Sequence, residues 1–327
     1  MKSFTLTTPV AFFFFNRPDT TEKVFNEIRK AKPQKLFLIC DGPRPGNEKD
    51  VTNNNRCKNI VSNIDWNCEV IKNYSNVNLG CKGRISSGIS SVFENVEEAI
   101  ILEDDCLPAP SFFQFCQELL EYYRNDERIM MISGNNFLNG RRFTDRSYYF
   151  STYSYIWGWA TWRRAWQKFD LEMKQWPEIK KQKLLRYWLP TRRSASHWEE
   201  EFTRTYEGRV DTWDFQFFYS SIINQGLGVV PEVNLVTNIG FGIEASHTGN
   251  SSSKEANIPA VNIKFPLRHP DFVMRNFLAD LYDEKKYILP LHRRIIRFIK
   301  RLIKNSERDR HLSPFVFPPE PDNKVHA

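Results

Sequence analysis

The feature that most constrains this chain is a regular alternation of short apolar runs and amphipathic segments over its first 125 residues. Residues 9–15 have no polar face, as expected of a parallel strand that is covered on both sides. The next segment has apolar residues at helical spacing, and further apolar runs follow at 35–40, 68–71 and 99–102. Strand-like and helix-like segments alternate at intervals of about 30 residues, which is typical of βαβ units. The pattern predicts an α/β fold with a mostly parallel sheet sandwiched by helices.

The chain is long enough to bury a substantial core, in one large domain or two. It has 327 residues, of which 41% are hydrophobic and 26% are charged. We assign residues 1–275 to a main domain with two halves, 1–125 and 126–275. Residues 276–310 are predicted to form a basic amphipathic helical extension, and the Pro-rich tail 311–327 is predicted to be disordered.

Cysteine usage and hydropathy indicate a soluble, cytoplasmic protein. The six cysteines contain no CxxC pair, which is typical of reduced thiols rather than of a disulfide framework. The apolar run at residues 10–15 is short and lacks the small-residue cleavage site of a signal peptide. No segment reaches the roughly 18 uncharged apolar residues of a spanning helix.

The formal net charge of +7 is concentrated partly near the C-terminus. Between Leu291 and Lys304, apolar residues form one helical face and Arg and Lys residues form the other. This pattern is typical of a helix that lies on an anionic membrane surface. A helix that packs on the main domain with a solvated basic face has the same pattern. Peripheral attachment to the inner face of a membrane through residues 285–304 is therefore one of two alternatives.

Three consecutive acids, Glu103-Asp104-Asp105, end the apolar run at 99–102. Adjacent carboxylates repel one another unless a cation or a polar ligand takes up their charge. Open α/β sheets bind their ligands outside the carboxyl ends of their strands. The triplet therefore predicts a ligand site, with a solvated acidic turn as the alternative.

The order of several short motifs resembles the nucleotide-sugar glycosyltransferases of the GT-A fold, a Rossmann-like fold. The motifs are Asn16-Arg17-Pro18, Asp41-Gly42, Asn78-Leu79-Gly80 and Glu103-Asp104-Asp105. The run from Glu103 to Phe113 closely resembles the matching stretch of the N-acetylglucosaminyltransferase I type, which is inverting and metal-dependent. Trp157-Gly158-Trp159 and Trp213-Asp214 also match in order, and the resemblance covers roughly residues 8–250. It implies that residues 1–125 form a nucleotide-sugar-binding half and residues 126–275 an acceptor and catalytic half.

The resemblance also implies a metal site. It places the metal ligand at Asp105, and the hard oxygen ligands of such a site suit Mn²⁺ or Mg²⁺. Glu103 and Asp104 would accept hydrogen bonds from ribose and sugar hydroxyls or from metal-bound water. Many GT-A enzymes have a metal-binding histidine where His247 occurs, although a surface histidine is the alternative.

Four further residues are expected to bind the nucleotide sugar, in addition to Glu103 and Asp104. Asp41 lies where similar enzymes bind uracil through its N3–H group, although an acid before Gly-Pro is often a plain turn residue. Asn16 and Arg17 lie where those enzymes contact the nucleotide. Arg84 could pair with a phosphate or with the base, because a guanidinium suits bidentate phosphate recognition. Solvated arginines are the alternative for Arg17 and Arg84.

Inverting transfer requires a carboxylate that removes the proton of the acceptor hydroxyl. Asp214 is set among aromatic residues, which would make it a stronger base than a solvated acid, and we favour it over Asp211. A helix N-cap is the alternative role for either acid.

The expected function is metal-dependent transfer of a sugar from a nucleoside diphosphate sugar, most simply a UDP-sugar, to a hydroxyl of a glycan or lipid-linked acceptor. One alternative is a sugar-nucleotide nucleotidyltransferase, which normally has a Gly-rich phosphate loop and a Lys early in the chain, whereas residues 12–18 have neither. The other is a basic, metal-dependent nucleic-acid-binding protein. Nucleic acid is not an expected partner, because many basic residues fall in the C-terminal helix and in the insertion at 179–193.

Overall fold

The computed structural model describes residues 4–241 and 258–288. The chain divides into two compact units, Met1–Asp283 and Glu284–Ala327. Of the second unit, the structure describes a π-helical segment, Glu284–Ile288. Most of the predicted helical extension, the segment 289–304 and the predicted tail 311–327 lie outside the described residues.

The first unit alternates strands and helices along most of its length. Its strands are β1 (Val10–Phe14), β2 (Lys35–Cys40), β3 (Glu69–Tyr74), β4 (Glu98–Glu103), β5 (Cys106–Pro108), β6 (Ile129–Ser133), β7 (Tyr148–Ser151), β8 (Trp159–Trp162), β9 (Leu227–Pro231) and β10 (Val236–Asn238). Its helices are α1 (Pro18–Ala31), α2 (Glu48–Ser62), α3 (Gly80–Asn95), α4 (Ser111–Tyr122), α5 (Arg163–Trp166), α6 (Trp176–Gln182), α7 (Leu185–Trp188), α8 (Arg192–Tyr206), α9 (Asp214–Ile223) and α10 (Phe277–Asp283). Within the described ranges, no helix combines the length and the apolar character that a membrane span requires.

The described strands form one large sheet and one small sheet. The large sheet has eight strands in the order β3-β2-β1-β4-β8-β6-β9-β7, and β5 pairs with β10 in the small one. Strands β3, β2, β1 and β4 are parallel, as are β6 and β9. Strand β8 is antiparallel to both β4 and β6, and β7 is antiparallel to β9. The predicted α/β class, with a mostly parallel sheet flanked by helices, is confirmed.

The first strand is apolar throughout because both faces of the sheet are covered. Val10, Phe12 and Phe14 belong to a core that α1, α2 and α4 complete. Ala11 and Phe13 point to the opposite face and pack in a second core, against residues of α3 and α9. Successive side chains of a strand alternate between faces, so a doubly covered strand has no place for a polar residue.

Three features of the second half of the chain were not predicted from the sequence. Strand β7 forms at the edge of the large sheet, and its backbone is paired with β9. The basic insertion at 179–193 forms most of α6, all of α7 and the start of α8. Helix α10 falls beyond the predicted boundary at residue 275, yet it belongs to the first unit. It is bound to β7 there, because the Asp280 carboxylate accepts hydrogen bonds from Ser151 Oγ at 2.6 Å and from the Thr152 amide at 3.1 Å.

The strand order creates a crevice next to β1. Strand β1 pairs with β2 on one side and with β4 on the other. The chain runs from β1 toward β2, whereas from β4 it continues to β6 on the opposite side. Ligands of open α/β sheets bind at such a topological switch point. The amino end of β8 lies at the same edge, because Trp159 is paired with Ile101 of antiparallel β4. The residues before β8 therefore face the crevice as well.

Candidate functional site

A pocket of about 430 Å³ lies at this edge of the sheet. Its volume is within the usual range for small-molecule sites, about 300–1,000 Å³. Every site residue that the sequence predicts within the described ranges lines it: Asn16, Arg17, Asp41, Arg84, Glu103, Asp104, Asp105 and Asp214. His247 lies outside the described residues. The fold therefore brings together residues that the sequence separates by most of the length of the first unit.

Arg17 links the two aspartates of the acidic triplet. Its Nη1 donates to Asp105 Oδ2 at 3.0 Å, and its Nη2 donates to Asp104 Oδ1. The backbone amide of Phe15 also donates to Asp104, at 3.2 Å. Burial lowers the pKa of Arg17, but the two carboxylates outweigh that effect and hold it above its usual value. Part of the repulsion within the triplet is therefore neutralised by a side chain from the end of β1.

The acids nevertheless remain in excess. Burial raises the pKa of Glu103, and the neighbouring Asp105 and Asp104 raise it further. Burial also raises the pKa of Asp104, although Arg17 opposes the change. The pocket lining as a whole contains five carboxylates and three guanidinium groups. A polyanionic ligand would therefore meet a net negative wall unless a cation accompanied it.

The residues present fit a divalent cation whose coordination a ligand completes. Among the described side chains, no three of His, Cys, Asp and Glu are grouped as a full set of metal ligands. Asp105 faces the pocket as a single carboxylate with an exposed fraction of 14%. Mn²⁺ and Mg²⁺ accept oxygen ligands, including phosphate oxygens and water. Asp105 together with a diphosphate would thus supply several oxygen ligands to such an ion, whereas Asp105 alone would supply too few.

Asp41 has a local structural role at the end of β2. Its carboxylate accepts hydrogen bonds from the backbone amides of Leu79 and Gly80 and from the side chain of Asn78, at 2.9–3.1 Å. An acid at the N-terminus of a helix satisfies orphan amides and interacts favourably with the helix dipole, here that of α3. Burial raises the pKa of Asp41 and these amide hydrogen bonds oppose the change. The carboxylate also lines the pocket, so binding of a base remains a prediction alongside this role.

Arg84 is buried on α3 and faces the pocket. Its Nη2 donates to the side-chain oxygen of Asn73 at 2.9 Å and to the backbone carbonyl of the same residue. Its Nε is buried and has no hydrogen-bond partner among the described residues. Burial lowers the pKa of Arg84, and the nearby Asp41 opposes this. A buried, partly unsatisfied guanidinium is a donor available to a ligand.

Asn16 is held in place by a second ion pair. Its Nδ2 donates to Asp50 Oδ1 at 2.7 Å, and Arg44 binds the same carboxylate through Nε and Nη2, at 2.8 Å for Nη2. The hydrogen bond from Arg44 is the main cause that lowers the pKa of Asp50 to about 2, with Asn16 contributing. The sequence gives no local signal for Arg44 or Asp50, because their role is to join the loop after β2 to the loop after β1 through Asn16.

Asp214 is the first residue of α9 and lines the pocket. It is half-buried and accepts a hydrogen bond from Thr212 Oγ1. The preceding residue, Trp213, is buried and stacked on Trp159 with ring centroids 5.7 Å apart, which fixes where the helix begins. Asp211 is exposed. Of the two acids that sequence analysis considered, Asp214 is the one that lines the pocket.

Three further features of the site were not predicted from the sequence. Asn238, from β10, lines the pocket beside the triplet, and the Ile239 amide donates to the Asp105 carbonyl at 2.8 Å. A Cβ atom at Gly240 would lie 2.2 Å from Asp105 Oδ2, so only glycine fits there. Trp157, which the sequence left without a role, lines the pocket and contacts Phe137 edge-on at 5.4 Å.

Comparison with known proteins gives little further information. No protein-family model matches the chain, and no curated protein matches it. Among solved structures, a cytidylyltransferase from Leptospira borgpetersenii serovar Hardjo-bovis (strain JB197) matches with a TM-score of 0.29 and 11% identity, over 51% of this chain and 64% of that one. A UDP-glucose pyrophosphorylase complexed with UDP-glucose matches with a TM-score of 0.25 and 10% identity, over 44% of this chain and 62% of that one. Both comparisons span less than two thirds of the matched structure, and scores of this size do not decide between one activity and another.

Proposed function

We propose that this protein is a GT-A glycosyltransferase that uses a nucleoside diphosphate sugar, with UDP as the favoured nucleotide. One observation carries the proposal. Residues that the resemblance marks on five separate segments, from Asn16 to Asp214, line one pocket at the switch point of the sheet. Any open α/β sheet is expected to have a binding crevice at this position. That rule does not predict that the side chains marked by the resemblance would cluster in the crevice, so their clustering supports the proposal.

The donor would lie along the carboxyl ends of β1, β2 and β4. Arg17 and Arg84 are positioned to donate to its phosphate oxygens or base, and Glu103 and Asp104 to accept from its hydroxyls. Asp105 would hold a Mn²⁺ or Mg²⁺ ion, with His247 as a further predicted ligand. When bound, the ion would stabilise the negative charge that develops on the departing diphosphate. The net negative lining of the pocket supports the need for such a cation.

The acceptor would approach from the side of α9. Its hydroxyl oxygen forms a bond to the anomeric carbon while the bond from that carbon to the diphosphate oxygen breaks. Asp214 takes the hydroxyl proton, and attack from the face opposite the leaving group inverts the configuration. The position of Asp214, half-buried at the start of α9 and lining the pocket, supports this role. The acceptor class that we propose is a glycan or a lipid-linked hydroxyl.

Nucleotidyl transfer is the second candidate, because the same acids and arginines could hold a nucleoside triphosphate with its cation. The loop after β1 argues against it. Phosphate-binding loops use glycines that let backbone amides approach the phosphates, and this loop reads Phe15-Asn16-Arg17.

The test is a product assay after a screen of UDP-, GDP-, dTDP- and CMP-sugars for thermal stabilisation with and without Mn²⁺. Glycosyl transfer predicts that a UDP-sugar raises the melting temperature only with metal and then releases UDP. Nucleotidyl transfer predicts release of UTP when pyrophosphate is added, and no UDP. Absence of stabilisation by every nucleotide would contradict both activities.

A further inference from the structure

A short segment that runs into the first turn of α10 exposes an unusual concentration of large apolar side chains. The exposed fractions are 76% for Phe272, 70% for Met274, 43% for Phe277 and 62% for Leu278. We call these four residues the apolar patch. Single exposed apolar residues are ordinary on protein surfaces, but several together within one segment mark an interaction site.

The patch is held in a fixed position by the residues between its members. Val273 packs against the core that contains Val10, Phe12 and Phe14 of β1. The Arg275 backbone bridges to Phe150 of β7, and the Asn276 amide donates to the Phe150 carbonyl at 2.7 Å. Because the intervening residues are anchored to the sheet, the apolar side chains are presented outward by ordered backbone.

The patch adjoins a strongly basic surface. The Arg275 side chain donates to the carbonyl of Trp188, at the end of α7. Next to Trp188, Tyr187 is 85% exposed, and Leu184 is 38% exposed. The surrounding residues 179–193 contain no Asp or Glu, and their basic side chains are all exposed: Lys180, Lys181, Lys183, Arg186, Arg192 and Arg193. The nearest acid of the patch segment, Asp271, is bound to Arg146 at 2.6 Å. This part of the surface therefore combines exposed aromatic and aliphatic side chains with a net positive charge.

We propose that this face, formed by the apolar patch and residues 179–193, docks on an anionic membrane surface. Apolar and aromatic side chains enter the boundary between headgroups and acyl chains, while Lys and Arg bind anionic headgroups. A second copy of the chain is a poorer occupant, because a two-fold contact would bring basic segment against basic segment. The inference goes beyond the proposed activity and does not depend on it. It also rests on residues other than those of the predicted segment 285–304.

The test is co-sedimentation of the full chain with phosphatidylcholine vesicles that contain phosphatidylglycerol. An apolar variant carries Phe272→Ser, Met274→Ser and Leu278→Ser, and a basic variant carries Lys180→Gln, Lys183→Gln and Arg186→Gln. Both retain residues 285–304, so any loss is attributable to the proposed face. We expect the apolar variant to lose about tenfold or more in vesicle affinity. The basic variant should lose about fivefold or more at low ionic strength and much less at high ionic strength.

A matched control carries Phe4→Ser and Val51→Ser, which remove exposed apolar side chains elsewhere and should leave vesicle binding unchanged. Unchanged melting temperatures would show that all variants are folded. Binding by both test variants as strong as that of the parent would overturn the proposal. So would equal binding to vesicles of pure phosphatidylcholine, or a concentration-dependent dimer that the apolar variant abolishes in sedimentation equilibrium.

Discussion

At the scale of single residues, the site depends on contacts between segments that are distant in sequence. The acidic triplet and Arg17 could each be recognised from the sequence, because a charged cluster at a strand end and an arginine in a known motif are local signals. Their ion pairs could not, since they depend on the parallel pairing of β1 with β4. The close approach of Gly240 to Asp105 is likewise a tertiary fact, produced by the pairing of β10 with β5.

The Arg17→Gln variant tests the ion pairs. Asp104 is buried, and loss of its cationic partner should reduce the free energy of unfolding by roughly 3 kcal/mol. Affinity for a UDP-sugar should fall about tenfold or more, because a charge-assisted donor is lost. Urea unfolding and calorimetric titration measure the two effects. Arg29→Gln, on the helix that follows Arg17 but paired with Asp65, is the control and should change neither quantity much. Parent-like stability and affinity in Arg17→Gln would be inconsistent with the described role.

The Asp214→Asn variant tests the proposed base. An amide cannot take the proton of the acceptor hydroxyl, so kcat should fall by about 10²–10⁴-fold while donor affinity changes little. Asp211→Asn is the matched control, since it removes a nearby exposed carboxylate and should keep most of the activity. Initial rates and donor titrations on both variants separate the effects. If Asp211→Asn lost most of its activity while Asp214→Asn kept normal turnover, the base would be Asp211 and the assignment to Asp214 would be wrong.

At the scale of elements, the first half was predictable and the second half was less so. Strands β1, β2 and β4 are buried on both faces and therefore read as continuous apolar runs. Strand β7 (Tyr148–Ser151) lies at the edge of the sheet beside loops, and four residues do not establish a period. The carboxylate of Asp41 is part of the N-terminus of α3, although the two are far apart in sequence, so no local pattern could reveal that role.

The attachment of α10 to β7 predicts a pH dependence. Burial raises the pKa of Asp280 to about 6, and the hydrogen bonds from Ser151 and Thr152 oppose the rise. In the unfolded chain this carboxyl ionises near its ordinary value of 3.8. As pH rises from about 4 to about 6, the unfolded state releases the proton first, and stability contributed by this group falls by about 3 kcal/mol.

The Asp280→Asn variant lacks this ionisation. Its free energy of unfolding, measured by urea titration at several pH values between 4 and 7, should increase relative to that of the parent as pH rises. A difference between the two proteins that stays constant over this range would contradict a raised pKa at Asp280.

At the scale of the whole molecule, the fold joins two halves around one pocket. The predicted division at residue 125 separates the acids and arginines on β1, β2, α3 and β4 from Asp214 on α9, and both groups line the pocket. From the sequence, this shared pocket could be expected only because the order of the motifs resembles that of the GT-A glycosyltransferases. The strand order supplies the physical reason, because it places the carboxyl ends of β1, β2 and β4 side by side.

The central claim is that this pocket binds a nucleoside diphosphate sugar with a divalent cation at Asp105. Calorimetric titration of UDP-sugar into the parent protein and into Asp105→Asn, each with Mn²⁺ and with EDTA, tests it most directly. We expect the parent to bind about tenfold or more tightly with Mn²⁺, and Asp105→Asn to bind weakly and equally under both conditions. Binding by the parent that is independent of Mn²⁺, or a metal dependence that survives in Asp105→Asn, would contradict the assignment.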